Sequence, residues 1–233
     1  MKSKETMSWQ VSEHCLQINS TQPLRALSSA IVGGGWQQIQ HIFNVDVGME
    51  YESTVPTQDM ENICKSFGAE PKHSVGLMTA VDVEQYCFLE EEYENQWVRV
   101  WVTVGVTNAA EAGSVSKEEQ VDYACTPGTI NTIIITNAAL SEGAFVNGVM
   151  LAVEAKAAAL REYQVLDVFK GAVATGTTSD AIVFASTMTG PTVAYTGMAT
   201  HFGQLMSRVV RRAIGLGIEK QMAAWEKDVR DKN

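Results

Sequence analysis

The stretch "WVRVWVTVGV", Trp97 to Val106, decides the fold class. Val98, Val100, Val102, Val104 and Val106 fall on one side of an extended chain. Trp97, Arg99, Trp101 and Thr103 fall on the other. Side chains alternate across a strand with a period of two, so the pattern predicts a sheet with one well-buried face. Upstream lie "SVGLMTAV" (Ser74 to Val81) and "QYCFLEE" (Gln85 to Glu91), the latter followed by the polar turn "EYENQ". Three neighbouring strands with short links predict an antiparallel meander. Downstream, "TINTIIIT" (Thr129 to Thr136) and "DAIVFAST" (Asp180 to Thr187) read as further strands.

Helical patterns surround these strands. "TQDMENICKSFG" follows Pro56, with Thr57 as expected N-cap and Gly68 as the stop. "SEGAFVNGVMLAVEAKAAALREY" opens on Ser141 as N-cap, with Glu142 in the first turn. The last begins after Thr200, and its Leu205, Val209, Ile214, Ile218, Met222 and Trp225 form a core-facing stripe. Strands grouped early with helices later predict an α+β fold. The expected architecture is a largely antiparallel or mixed β-sheet covered by helices, in a single layered domain spanning residues 1–233.

Composition narrows the function. The 233 residues are 45% hydrophobic and carry a net charge of −10. That argues against nucleic acid as a partner, because phosphate binding needs clustered Lys and Arg. The basic cluster Arg208, Arg211 and Arg212 reads as a solvated helix face. Cys15, Cys64, Cys87 and Cys125 form no CxxC pair, so no metal site is expected. The N-terminus lacks the apolar segment of a signal peptide. No uncharged apolar run approaches the roughly 18 residues of a membrane span. A cytoplasmic protein with reduced thiols and no membrane partner is the expectation. A homo-oligomer is left open.

Polar clusters sit where strands end: "IVGGGW" (Ile31 to Trp36), "VGVTNAAEAG" with Thr107 and Asn108, "TPGTINTIII" with Gly128, Thr129 and Asn131, and "ATGTTSD" with Thr175, Thr177 and Asp180. Loops carried on a rigid sheet are where sites are usually built. Each cluster alone is also ordinary turn chemistry.

Taken in order, "LSSAIVGGG", "TVGVTNAAEAG", "GTINTIIITNAALSEGAFVNGVMLAVEAKAAAL", "ATGTTSDAIVFAS" and "THFGQLM" resemble the adenosylcobinamide amidohydrolase family, from about Leu27 to Leu216. One loop departs from the expected "GTGTD": this chain has "GTTSD", which removes a glycine and keeps the carboxylate. The resemblance implies hydrolysis of the amide that joins aminopropanol to the corrin side chain of adenosylcobinamide. The corrinoid is then substrate, and no cofactor is expected. Two other readings stand beside it: a non-catalytic corrinoid-binding protein, and an amidase of the same fold acting on another amide.

Amide hydrolysis needs an activated attacker, a stabilised oxyanion and a proton for the leaving amine. Asp180 is a candidate to activate water or orient a base, and equally suits a local turn. His201 falls in the first turn of the last helix, where the helix N-terminus favours a neutral, proton-accepting ring. Glu154 shares a helix face with Asn147 and Arg161. Lys156 instead lines up with Val149, Val153 and Leu160, so it is expected to point inward and to pair with Asp180 rather than Glu154. Thr129 is a candidate nucleophile, or its loop lends N–H groups to an oxyanion. Gly33, Gly34, Gly35, Asn108, Asn131, Thr175 and Thr177 are expected to shape and hydrogen-bond a large polar substrate. Trp36, Trp97 and Trp101 are candidates for stacking on a corrin edge, core packing being expected of at least two.

Overall fold

The computed structural model describes residues 7–114, 128–168 and 170–231; Cys125 lies outside them. The described residues begin with three strands that the sequence reading did not single out: the short β1 (Met7–Ser12) and the long β2 (Cys15–Ser28) and β3 (Gly35–Asp46). Helix α1 (Pro56–Ser66) follows, then β4 (Ser74–Thr79), β5 (Cys87–Tyr93), β6 (Gln96–Val104) and the short β7 (Ala109–Ala110). Next come β8 (Ile130–Thr136), β9 (Ala139–Leu140), helix α2 (Glu142–Glu162), β10 (Gly176–Thr177), β11 (Ala181–Ser186), β12 (Thr192–Val193) and helix α3 (His201–Asp231). The fold is α+β, as expected.

The main sheet has the order β4-β3-β2-β11-β8-β6-β5, with β1 added on β2. It is mixed. The two parallel pairs, β3 with β4 and β8 with β11, are those whose partners are joined through a helix. Parallel strands require such a crossover, whereas β5 and β6 are joined by a hairpin. The expected three-strand meander is therefore corrected. Residues 74–79 pair with β3 at one edge, and β5 lies at the opposite edge.

The sheet also curls. Asn131 on β8 donates to Asn44 on β3 at 2.8 Å, and Asn44 donates to Thr103 on β6 at 3.0 Å. Two strands separate β3 from β8 in the sheet order. In a flat sheet that would set their backbones about 14 Å apart. A β-bulge between Asn19 and Leu24 lets β2 bend. The curl changes the reading of Trp97 to Val106. Its valines pack under α2 and α3, while Trp97 and Trp101 are buried inside the curl. Both faces of β6 are buried, not one. Trp9 from β1 closes the inside, with its ring 5.3 Å from Trp101 and 4.7 Å from Phe88. Arg99, on the same inner face, is buried but pairs with Glu90 at 2.9 Å.

The helices are fixed by their ends. In α2 the Ser141 hydroxyl accepts from Ala144 N at 3.1 Å, and at the start of α3 the Thr200 hydroxyl accepts from Gly203 N at 2.9 Å. Thr57 does not cap α1: Pro56 already occupies its first turn and Val55 is the N-cap. Proline presets the helical φ there and has no N–H to cap. Helix α2 is long and apolar enough, by length and composition, to cross a membrane, although Glu154 and Lys156 interrupt its apolar run, so no uncharged run of that length occurs in it. Here its Phe145 and Gly148 side packs against Phe184 of β11.

Candidate active site

The segment "ATGTTSD" runs from Ala174 to Asp180 and is tied down at both ends. Gly176 and Thr177, as β10, pair with Ala110 and Ala109 of β7. The Thr175 hydroxyl accepts from Ala112 N at 2.8 Å. Asp180 then turns its carboxylate back into the loop. Oδ1 accepts from Ile130 N at 2.9 Å and from the Thr177 hydroxyl; Oδ2 accepts from Thr177 N at 3.0 Å and from Lys156 Nζ. Four donors thus converge on one carboxylate. They come from β8, from α2 and from the loop itself.

Lys156 therefore points inward and pairs with Asp180, as its helical position predicts. Both side chains are 13% exposed, whereas Glu154 is exposed at the rim. The stripe is less apolar-buried than its spacing implies, since Val153 is open to solvent. Gly176 makes the approach possible. A Cβ there would lie 2.6 Å from Asp180 Oδ2 and 3.0 Å from Lys156 Nζ. The shortened glycine pattern "GTTSD" keeps this one glycine.

Beside the pair, hydroxyls form a chain. Ser179 Oγ donates to Gly128 O at 2.8 Å, so the 2.5 Å contact has Thr129 Oγ1 donating to Ser179. Asn108 Nδ2 donates to Thr178 Oγ1 at 2.8 Å, while its buried Oδ1 has no hydrogen-bond partner among the described residues. Gly128 is needed next to it, because a Cβ would lie 2.4 Å from that oxygen.

These residues line one cleft of about 1280 Å³. Its floor holds Asp180, Lys156, Thr129 and Thr177, and its walls include Met49, Tyr51, Met78 and Val153. Lys156 is the only Lys or Arg among the described residues lining it; Glu52, Glu111 and Glu154 stand with Asp180 as its carboxylates. No group of three His, Cys, Asp or Glu among the described residues is placed to hold a metal ion.

Seven of the twelve residues singled out from sequence line this cleft: Asp180, Lys156, Glu154, Asn108, Thr129, Thr175 and Thr177. Asn131 does not. It lies in the polar network inside the curl, donating also to Met78 O at 2.9 Å. The run Gly33, Gly34, Gly35 does not line it either. These glycines turn the chain from β2 to β3, with φ of +74° at Gly33 and +79° at Gly35. A Cβ on Gly33 would meet Ser74 O at 2.3 Å. His201 stacks on Tyr93, 5.8 Å between rings, at the hairpin end of β5 and β6. The cleft lies at the other end, where Ile130 pairs with Val104. Trp97 and Trp101 are core residues, and Trp36 is 41% exposed beside Phe145, outside the cleft.

Sequence reasoning missed the wall of residues 47–52. "VGMEYE" carries no motif, and only the curl of the sheet brings it opposite α2. The wall is held from α1. Tyr51 and Ser53 donate to Asp59 Oδ2 at 2.8 and 2.5 Å, and these bonds, Ser53 first, hold the Asp59 carboxyl below its ordinary range.

Comparison with known proteins adds to the geometry. The profile of the adenosylcobinamide amidohydrolase family matches residues 1–226. An adenosylcobinamide amidohydrolase of Methanosarcina mazei is 28% identical over 222 residues, covering 91% of this chain and 98% of its own. One of Halobacterium salinarum is 34% identical over 133 residues, 54% of this chain and 52% of its own. A crystal structure of a protein from Pyrococcus horikoshii matches at a TM-score of 0.49 and 11% identity, over 91% of this chain and 82% of that one.

Proposed function

The chain belongs to the adenosylcobinamide amidohydrolase family, and from that premise we propose that it hydrolyses the aminopropanol amide of adenosylcobinamide. The products are adenosylcobyric acid and 1-aminopropan-2-ol, in the salvage of cobinamide for cobalamin synthesis. Water adds its oxygen to the carbonyl carbon, the C–N bond breaks, and the departing amine takes a proton. The single observation that carries this reading is the Lys156–Asp180 pair on the cleft floor. Hydrolysis places negative charge on the carbonyl oxygen, and an ammonium held in position for that charge is the form of help an amide needs most. Asp180 already accepts four donors, so its part is to position Lys156 and the loop, not to take a proton from water. The leaving amine becomes a cation at neutral pH, and the rim carboxylates Glu52, Glu111 and Glu154 favour its departure. At about 1280 Å³ the cleft exceeds the ~300–1,000 Å³ usual for drug-sized ligands, which suits a macrocycle.

The test is direct. Purified protein is incubated with adenosylcobinamide, without ATP, and the mixture is read by mass spectrometry. Adenosylcobyric acid and free aminopropanol are expected in equal amounts. Intact corrinoid bound tightly to the protein would point instead to a non-catalytic carrier.

A further inference from the structure

A second hollow, of about 310 Å³, adjoins the cleft. Met49, Ala80 and Gly128 line both, so they form a shared partition. The far side is built from the last turns of α3, by Lys220, Gln221 and Trp225. Nothing in the reaction proposed above uses it. Resting on that reading, we propose that this hollow is the subsite for the adenosyl group of the corrinoid substrate.

Size comes first. A volume near the lower limit of ligand pockets suits a nucleoside, not a macrocycle. Chemistry comes second. Trp225 does not face the core as its helical spacing predicts: it lines the hollow, 44% exposed, and offers a face on which a purine stacks. Gln221 Oε1 accepts from Val106 N at 2.8 Å, which fixes the side chain and leaves its amide hydrogens for a ring nitrogen. Lys220 is anchored on Tyr86 O at 3.0 Å. Asp82 accepts from Glu84 N at 2.9 Å through Oδ1 and, more weakly, from Gln85 Nε2 at 3.4 Å through Oδ2, and the lone pairs left on that carboxylate suit a ribose diol, the pairing that nucleotide sites use. Continuity comes third. The substrate carries its nucleoside on the cobalt and its scissile amide on a ring side chain, so one molecule spans two hollows that share a wall.

The experiment measures equilibrium binding of adenosylcobinamide and methylcobinamide to the wild type, Trp225→Ala and Trp225→Phe, with turnover followed alongside. The wild type should bind the adenosyl form about tenfold tighter or more. Trp225→Ala should lose about tenfold for the adenosyl form, the scale of one base stack, and keep its affinity for the methyl form within about threefold. Trp225→Phe should retain most of the preference. Equal weakening for both ligands, or none for either, overturns the subsite. Hydrolysis of both corrinoids without a binding preference would overturn it while leaving the amidohydrolase reading intact. Conversely, a preference erased by Trp225→Ala in a protein that hydrolyses neither would keep the subsite and sink the hydrolase.

Discussion

At the scale of single residues, the site is an ammonium fixed by a carboxylate that has no spare acceptor. Lys156→Met replaces the ammonium by an apolar chain of similar length and leaves Asp180 with three donors. Breaking a fully buried pair costs about 3–5 kcal/mol, and the cost here should be smaller because both groups keep some contact with water. Losing a preorganised charge from an oxyanion site costs about 10²–10³ in turnover. We expect that loss in kcat, with KM changed far less, and a melting point lowered by several degrees. Turnover within threefold of wild type would make Lys156 structural. Asp180→Asn should fare worse. Whichever way its amide lies, an NH₂ faces donors: Lys156 Nζ and Thr177 N on one side, Ile130 N and the Thr177 hydroxyl on the other. The cysteines behave oppositely, as neutral core groups. Burial pushes the Cys15 thiol up to about 12 and the Cys64 thiol to about 11. An unfolded thiol ionises near ~8.5, so the folded state favours the protonated form. That contribution is complete below about pH 8.5 and is lost as pH rises toward 11 and 12. Iodoacetamide at pH 8 should therefore leave Cys15 and Cys64 unlabelled in the native protein, with both labelled in urea, as read by peptide mass spectrometry.

At the scale of elements, the helix that carries Lys156 is registered on the sheet by one glycine. A Cβ on Gly148 would lie 2.2 Å from Phe184 Cε1, and Phe184 is fully buried against Phe145. Two effects of Gly148→Ala oppose each other. Helix propensity gains about 1 kcal/mol. Overpacking a closed core costs about 1–3 kcal/mol, and at 2.2 Å the upper part of that range applies. The variant should be less stable, with a melting point lower by about 2–6 °C for a chain of this size. A higher melting point would show that α2 slides freely over β11. This register was not legible in the sequence. Ser141, Lys156 and the stop of α1 at Gly68 could be read from local pattern, because caps and helix faces depend on residues three or four apart. The seating of Gly148 depends on a ring 36 positions away. The strands divide in the same way. Trp97 to Val106 announced itself by alternation over ten residues, while β1 alternates over only six and β2 and β3 alternate poorly because the curl buries stretches of both their faces.

At the scale of the whole molecule, the sheet has two ends and only one carries the site. The motif clusters were legible as strand-end loops, but the sequence does not say at which end each strand stops. Thr107–Asn108, Gly128–Thr129 and Thr175–Asp180 meet because β6 ends where β8 and β11 begin. Gly33–Gly35 and His201 carried similar signals and lie outside the cleft: the glycines turn β2 into β3 against the start of β4, where Gly33 meets Ser74 O, and His201 starts a helix beside the β5–β6 hairpin. His201 thus separates two accounts of the chemistry. If imidazole served as the base, His201→Ala would cost about 10²–10⁴ in rate. Its placement says otherwise. The ring is exposed and stacked on Tyr93, and β6, nine residues and about 30 Å long, separates that end from the Lys156 end. We expect kcat/KM of His201→Ala within threefold of wild type, with at most a small fall in stability from the lost ring contact. The pH profile of turnover should likewise keep its shape in the variant. A large drop in kcat with an unchanged melting point would mean that the catalytic end of the sheet is the hairpin end, and that Lys156 and Asp180 merely hold a loop.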